Sequence, residues 1–424
     1  MVKLQEWENG VKKNKKLNVI NLSSIIEYYE KNILPHSLHI RGIINNKSNK
    51  MKKLLLIITL AFISCNTSPK KQNEELPGRL GDKDLTVNDD KRINQKLLQA
   101  MINIGLDGVP PAPPVTYNSS REEIQEFNNM LEPVYTDVFT AIFSNVELPD
   151  GLTNETKTII GDDGNEIKLY ITKPADVSEE IPAILHLHGG GMAIMKADDP
   201  NYIYWRHKLA STGLVVVGVE FRNTAGVLGN HPFPAGLNDC ISGLKWVYEN
   251  KKELGISKII VSGESGGGNL SIATALKAKQ DGIVNYIDGV YAQCPYISNL
   301  YGKENKELKS LTENDTYFLR GDMLGLMASL YDGIDSKNPI AWPYYADNNM
   351  LEGLPPHAIT VNEVDPLRDE GLAYSEKLKK AGISVTTKII KGTVHAAENI
   401  FPNDIPEIHN QAIEDIKTFS YSLK

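Results

Sequence analysis

The chain has 424 residues, 41% apolar and 23% charged, the proportions of a globular protein with a sizeable core. Residues 1–50 carry 9 Lys and Arg against 4 Asp and Glu, a balance of +5, which leaves 36 against 49, or −13, for residues 51–424; nothing in this acidic body favours a nucleic-acid partner. Three cysteines, Cys65, Cys240 and Cys294, are too few and too scattered for a disulfide framework or a thiolate metal site.

Residues 1–50 are rich in Asn and Lys and carry no motif. Met51, Lys52 and Lys53 then lead into the apolar run Leu54 to Ile63, followed by Ser64 and Cys65. A charged start, a short apolar core and a small residue before the break have the layout of a secretory signal, and the run is too short to span a bilayer comfortably. The sequence FISC resembles a bacterial lipoprotein cleavage box, with Phe62 where that pattern prefers Leu. On this reading residues 51–65 are a lipoprotein-type signal, Cys65 is lipidated, and the protein is exported and anchored to a membrane of the bacterial cell envelope, on its periplasmic face or in the outer membrane. A cleaved signal without lipid, or an internal buried helix, are the alternatives. A signal beginning at Met51 implies that translation starts there.

Residues 66–88 are polar and read as a flexible tether. Two helix-like stretches follow within residues 89–145, around Lys91–Ile104 and Ser120–Phe143, separated by the breaker cluster Val109-Pro-Pro-Ala-Pro-Pro114. From about Thr158 short β-rich runs alternate with helical ones. The runs are Ile167–Ile171, Ala183–Leu187, Leu214–Glu220, Lys258–Ser262, Gly289–Gln293, Ala358–Val361 and Thr386–Ile390. Helical patterns lie at Tyr202–Ala210, Gly236–Leu254, Gly268–Lys279, Glu370–Lys380 and Ile408–Leu423. Alternation of this kind, with nearly continuous apolar strands, predicts an α/β domain over residues 150–424, its mostly parallel sheet flanked by helices. Residues 298–347 are too long for an ordinary connection and read as an insertion that covers something.

Lys258-Ile-Ile-Val-Ser-Gly-Glu-Ser-Gly-Gly-Gly-Asn269 reads as strand, G-x-S-x-G and helix, which makes Ser265 a candidate nucleophile at the head of a helix. Upstream, His188-Gly-Gly-Gly191 follows a strand; consecutive glycines leave backbone N–H groups open to a substrate oxygen, although a flexible turn would look the same. His186 and His188 share one face of that strand and could bind a metal, but no carboxylate or cysteine cluster joins them. In the order Ser, acid, His, the base must be His357, His395 or His409. Only His395 lies in a loop leaving a strand, so it is the candidate base. Asp365 comes first in the turn after another strand and is the candidate acid. Asp369 and Glu370 look more like acids satisfying the amides of a helix start. Cys240 and Cys294 read as small core residues, and Tyr202, Tyr204 and Trp205 as core rather than pocket lining.

Together, HGGG at His188–Gly191, HPFPAG at His231–Gly236, GESGGGN at Gly263–Asn269, DPLRDEG at Asp365–Gly371 and the loop around His395 resemble the hormone-sensitive lipase family of bacterial esterases, from about Lys168 to the C-terminus. That resemblance implies an α/β-hydrolase fold with a helical cap, a Ser265–Asp365–His395 triad, an oxyanion hole formed by the amides of Gly190, Gly191 and Gly266, and acyl esters of short to medium length as substrates, with no metal or organic cofactor. Acetylated polysaccharides are an alternative substrate. An amidase or peptidase, or a binding protein on the same fold, are the rival readings. The sequence departs from the family at Glu264, where Asp or Thr is usual, at Gly266 in place of Ala, at Ala396 in place of Gly, and at Phe221–Asn230 in place of YRLAPE. His231 precedes the serine and reads as a structural loop residue.

Overall fold

A computed structural model describes residues 78–424. The stretch 1–50, the signal-like segment 51–65 with Cys65, and residues 66–77 of the expected tether lie outside the described residues. Among the described residues eight strands form one sheet: β1 (Leu152–Ile160), β2 (Glu166–Pro174), β3 (Ile181–Leu187), β4 (Val215–Val219), β5 (Ile256–Glu264), β6 (Gly289–Gln293), β7 (His357–Asn362) and β8 (Val385–Ile390). Their spatial order is β1-β2-β4-β3-β5-β6-β7-β8. The β1–β2 and β2–β4 pairings are antiparallel, and every pairing from β4 to β8 is parallel.

Residue alternation along the central strands sorts side chains to two faces. Ala183, Leu185, Leu187, Val215, Val217, Val219, Ile259 and Val261 join one core cluster, whereas Ile184, Val216 and Ile260 join another on the opposite face. Helices α3 (Pro200–Ala210) and α8 (Pro406–Ser422) supply Trp205, Leu209, Ile413 and Ile416 to the second cluster. Helices α4 (Ala235–Glu249), α5 (Gly266–Gln280) and α7 (Arg368–Lys380) supply Leu237, Leu270 and Leu378 to the first. Both faces are therefore covered, which is why these strands read as unbroken apolar runs. Edge strand β1 escaped that reading. Its sequence, LTNETKTII, is polar and exposed along nearly its whole length, with only Ile159 buried. The helical pattern 236–254 also resolves into α4 and a separate turn, Lys251–Leu254, closed by Gly255 at φ 71°.

Ahead of the sheet, α1 (Gln95–Asn103) starts where the Asn94 side chain accepts the amides of Lys96 and Leu97, and α2 (Arg121–Phe143) starts at a Ser120–Glu123 capping box. Within residues 78–88 of the expected tether, Leu80, Gly81, Lys83, Asp84 and Asn88 are exposed, while Gly78 and Val87 are buried. A Cβ on Gly78 would stand 2.6 Å from atoms of Arg92 and Glu313. The long connection between β6 and β7 contains the turn Ser310–Glu313 and helix α6 (Gly321–Tyr331), which packs on α2. Tyr117 packs against this insertion: its hydroxyl lies 2.2 Å and 2.4 Å from where a Cβ would stand on Gly325 and Gly302, so a side chain at either position would displace the Tyr117 ring. No helix among the described residues is long and apolar enough to cross a membrane.

Candidate active site

Ser265 forms the sharp turn from β5 into α5, with φ 57° and ψ −118°, a conformation L residues adopt only where the surroundings enforce it. The enforcement is close packing of glycine against β3. A Cβ on Gly263 would meet the Leu187 carbonyl oxygen at 2.2 Å, and one on Gly267 would meet the same oxygen at 1.9 Å. Hydrogen bonds fix the turn from the other side: Ser265 N donates to Gln293 O (3.0 Å), and Tyr296 N donates to Ser265 O (3.1 Å). The serine is left half-buried at the N-terminus of α5.

Asp365 and His395 meet at the ends of the neighbouring strands β7 and β8. His395 Nδ1 donates to Asp365 Oδ2 at 2.7 Å, and Leu367 N donates to Asp365 Oδ1 at 2.9 Å. Asp365 is fully buried and His395 nearly so. The two loops are sewn together by Val364 N donating to Thr393 O (2.9 Å), and by Asn362, which donates to Thr393 Oγ1 (2.9 Å) and Glu398 Oε2 (2.7 Å) while accepting from Ala396 N (3.1 Å). Cys294, next to Gln293, brings its Sγ within 4.8 Å of Asp365 and His395 ligand-type atoms; it is the one such mixed group among the described residues. Its aspartate and histidine are already bonded to each other, and burial pushes the Cys294 thiol pKa well up, so the thiol stays protonated.

The glycine loop follows β3. Gly190 and Gly191 have φ of 93° and 63°, and a Cβ on Gly190 would meet the Ile194 carbonyl oxygen at 2.1 Å. A Cβ on Gly266 would stand 2.8 Å from Gly191 N and 2.7 Å from Met192 N, so the loop amides and the head of α5 face one small space, and an alanine at 266 would push the glycine loop aside. On the far side, Met327 Sδ of α6 lies 2.8 Å from where a Cβ on Gly191 would be.

The remaining candidates fall elsewhere. His188 stacks on Phe221 and donates to Gly189 O, and burial lowers its pKa to about 3, leaving a neutral ring. His186 Nε2 donates instead to Glu264 Oε2 (3.2 Å), while Glu264 Oε1 accepts Gly189 N (2.8 Å). The two histidines thus converge on no common metal position. His357 is buried at the start of β7 on Pro355 O, His409 is bonded to Glu398 O, and exposed His231 donates its backbone amide to Asn223 O in a loop. Tyr202, Tyr204 and Trp205 are buried.

Asp369 and Glu370 do not satisfy the amides of α7 as expected. Asp369 accepts Ser310 N (2.8 Å), and Glu370 accepts Ile297 N (2.6 Å), Tyr301 Oη (2.8 Å) and Ser298 Oγ. Both face the insertion, which supplies donors that a sequence pattern cannot reveal. Glu264 and Asn362 are the structurally central residues that sequence reasoning missed. Glu264 was visible only as a departure from the family, and Asn362 carried no signal.

Sheet order, the strained serine turn and the bonded Asp365 and His395 after the last two strands are those of an α/β hydrolase. Residues 184–399 match the family model described as alpha/beta hydrolase fold. The chain is 32% identical to carboxylesterase NlhH of Mycobacterium tuberculosis over 60% of its length and 78% of that protein, and 29% identical to an arylesterase of Saccharolobus solfataricus over 58% and 78%. Among solved structures, brefeldin A esterase, a bacterial homologue of human hormone-sensitive lipase, superposes with a TM-score of 0.77 at 40% identity, covering 81% of this chain and 98% of that one. Esterase Est22 gives 0.71 at 34%, covering 80% and 99%. The chain belongs to the hormone-sensitive lipase family of α/β hydrolases and is a carboxylic ester hydrolase.

Proposed function

We propose that the chain hydrolyses short- to medium-chain acyl esters through an acyl-enzyme on Ser265. The observation that carries this reading is the 2.7 Å bond from His395 Nδ1 to buried Asp365, together with a serine held at φ 57° on a glycine elbow. With Nδ1 committed to Asp365, His395 Nε2 is the nitrogen left to take the Ser265 proton as Oγ attacks the carbonyl carbon, and Asp365 stabilises the imidazolium that forms. The amides of Gly190, Gly191 and Gly266 receive the oxyanion, each donor being worth about a hundredfold or more in rate. His395 then returns the proton to the leaving alcohol. Water repeats the attack on the acyl-enzyme and releases the acid, and no cofactor enters any step.

A fluorophosphonate probe is expected to label the wild type at Ser265 and leave Ser265→Ala unlabelled; equal labelling of both would end the assignment. Matched esters and amides separate an esterase from an amidase, because an amide leaving group needs stronger protonation. Nitrophenyl esters of rising acyl length, run beside acetylated xylan, set the acyl preference.

The sequence from Met51 to Cys65 supports lipid attachment at Cys65 and export to the cell envelope. Metabolic labelling with a palmitate analogue should mark the wild type and not Cys65→Ser.

A further inference from the structure

The N-terminal segment just before α1 touches both loops that carry the acid and the base. On the acid side, Arg92 donates to Glu313 and, through Nη2, to Asn314 Oδ1 at 2.9 Å. Asn314 Nδ2 in turn donates to the backbone carbonyl of Asp365 itself at 3.0 Å. The other oxygen of Glu313 receives Arg368 Nη2 (2.8 Å), three residues beyond Asp365, and Arg368 Nη1 donates to Glu363 O (3.0 Å). On the base side, Asn94 N donates to Gly392 O at 2.9 Å. A Cβ on Gly392 would stand 2.9 Å from Arg92 O and 3.0 Å from Asn94 N, so the two backbones touch. Glu363 joins the two sides, receiving Gly392 N (2.8 Å) and Lys391 Nζ (3.0 Å).

Two residues two positions apart, Arg92 and Asn94, therefore hold the loops whose relative placement sets the Asp365–His395 bond. Arg92 is 16% exposed, and its carboxylate partners Asp90 and Glu313 are each 3% exposed. Apolar packing would fasten a segment here without fixing its register, whereas forked, charge-assisted bonds fix position as well as proximity.

We propose that residues 90–94 are a brace for the acid–base pair, with Arg92 as its positioning residue, so that the hydrolase is competent only while this segment is docked. The inference rests on the reading of Asp365 and His395 as acid and base. Arg92 itself meets no substrate.

The test compares Arg92→Ala and Arg92→Lys with wild type in the full chain. The readouts are kcat and KM on p-nitrophenyl acetate, the acidic limb of the kcat/KM pH profile, and the downfield Nδ1 proton resonance of His395. Arg92→Ala is expected to lose about tenfold to a hundredfold in kcat with KM nearly unchanged, because misplacement rather than lost binding is the defect. The acidic limb and the His395 resonance should move with it, and Arg92→Lys, which keeps the charge without the fork, should recover part of each. Lys96→Ala, which breaks the exposed Lys96–Glu407 pair nearby, should match wild type throughout. Wild-type kcat, limb and resonance in Arg92→Ala overturn the proposal, as does a loss of kcat with limb and resonance unmoved. If Arg92→Ala does not fold, Asn314→Ala breaks the link to Asp365 and is judged by the same readouts. Absence of fluorophosphonate labelling in wild type would fell the serine mechanism, while the His395 resonance would still decide whether the brace sets the pair.

Discussion

Glu264 Oε1 accepts the amide of Gly189 at 2.8 Å, so the residue immediately before Ser265 in the chain holds the first glycine of the loop on β3. Its second oxygen is satisfied by His186, a strand neighbour, in a site sealed from water. Nucleophile turn and glycine loop are thereby fixed to one carboxylate. Glu264→Ala is expected to lower kcat by about a hundredfold, comparable to losing one oxyanion donor, with little change in KM. Steady-state kinetics on a nitrophenyl ester check this, and an unchanged kcat would show that the loop holds its place unaided.

Gly191 faces Met327. An alanine there meets Sδ at 2.8 Å and must also adopt φ 63°, so Gly191→Ala should lose about tenfold to a hundredfold in kcat/KM through displacement of the loop. Adding Met327→Ala removes the steric part and is expected to restore some of the rate. Failure of the double variant to exceed Gly191→Ala would locate the defect in the backbone alone.

The Asp365–His395 bond predicts a second kinetic signature. Asp365→Asn can no longer hold the Nδ1–H tautomer, and kcat should fall by about 10⁴-fold while the fold persists. Circular dichroism and melting temperature beside the kinetics check both halves of that statement.

Glu370 links stability to pH. Burial raises its pKa to about 8 from the ordinary glutamate value of 4.5, against the opposing pull of Ser298, Ile297 and Tyr301. A buried acid with a raised pKa favours the folded state when protonated, so its contribution is fully present below pH 4.5 and is lost as pH rises through about 8. Glu370→Gln keeps a neutral side chain of the same shape. Urea unfolding at several pH values should show the stability of the variant relative to wild type rising across that window; a pH-independent difference would mean that Glu370 is ionised throughout.

The central sheet was legible because strands buried on both faces carry apolar runs, as Val215–Val219 does throughout and β5 does over Ile259–Val261. Strand β1 was not legible, since an edge strand needs only backbone partners and tolerates Thr, Asn and Lys. The Ser265 turn and the loops of Asp365 and His395 could be placed because each leaves the end of a strand that sequence reading had found. What holds them could not. Asn362, Arg92 and Glu370 act through partners 31 to 222 residues away, and their pairing exists only once the sheet has formed. Local pattern carries no record of such distances.

The long connection between β6 and β7 separates the chain into two chemical portions. Ser265 and the glycine loop lie before it, and Asp365 and His395 lie after it on adjacent strands, only 30 residues apart. Gly302, Lys303, Glu304, Lys306 and Glu307 are exposed within that connection. A break there would yield one fragment bearing the proposed nucleophile Ser265 and another bearing the Asp365–His395 pair. Ester turnover would then report the meeting of two polypeptides, making this enzyme a natural starting point for a split reporter.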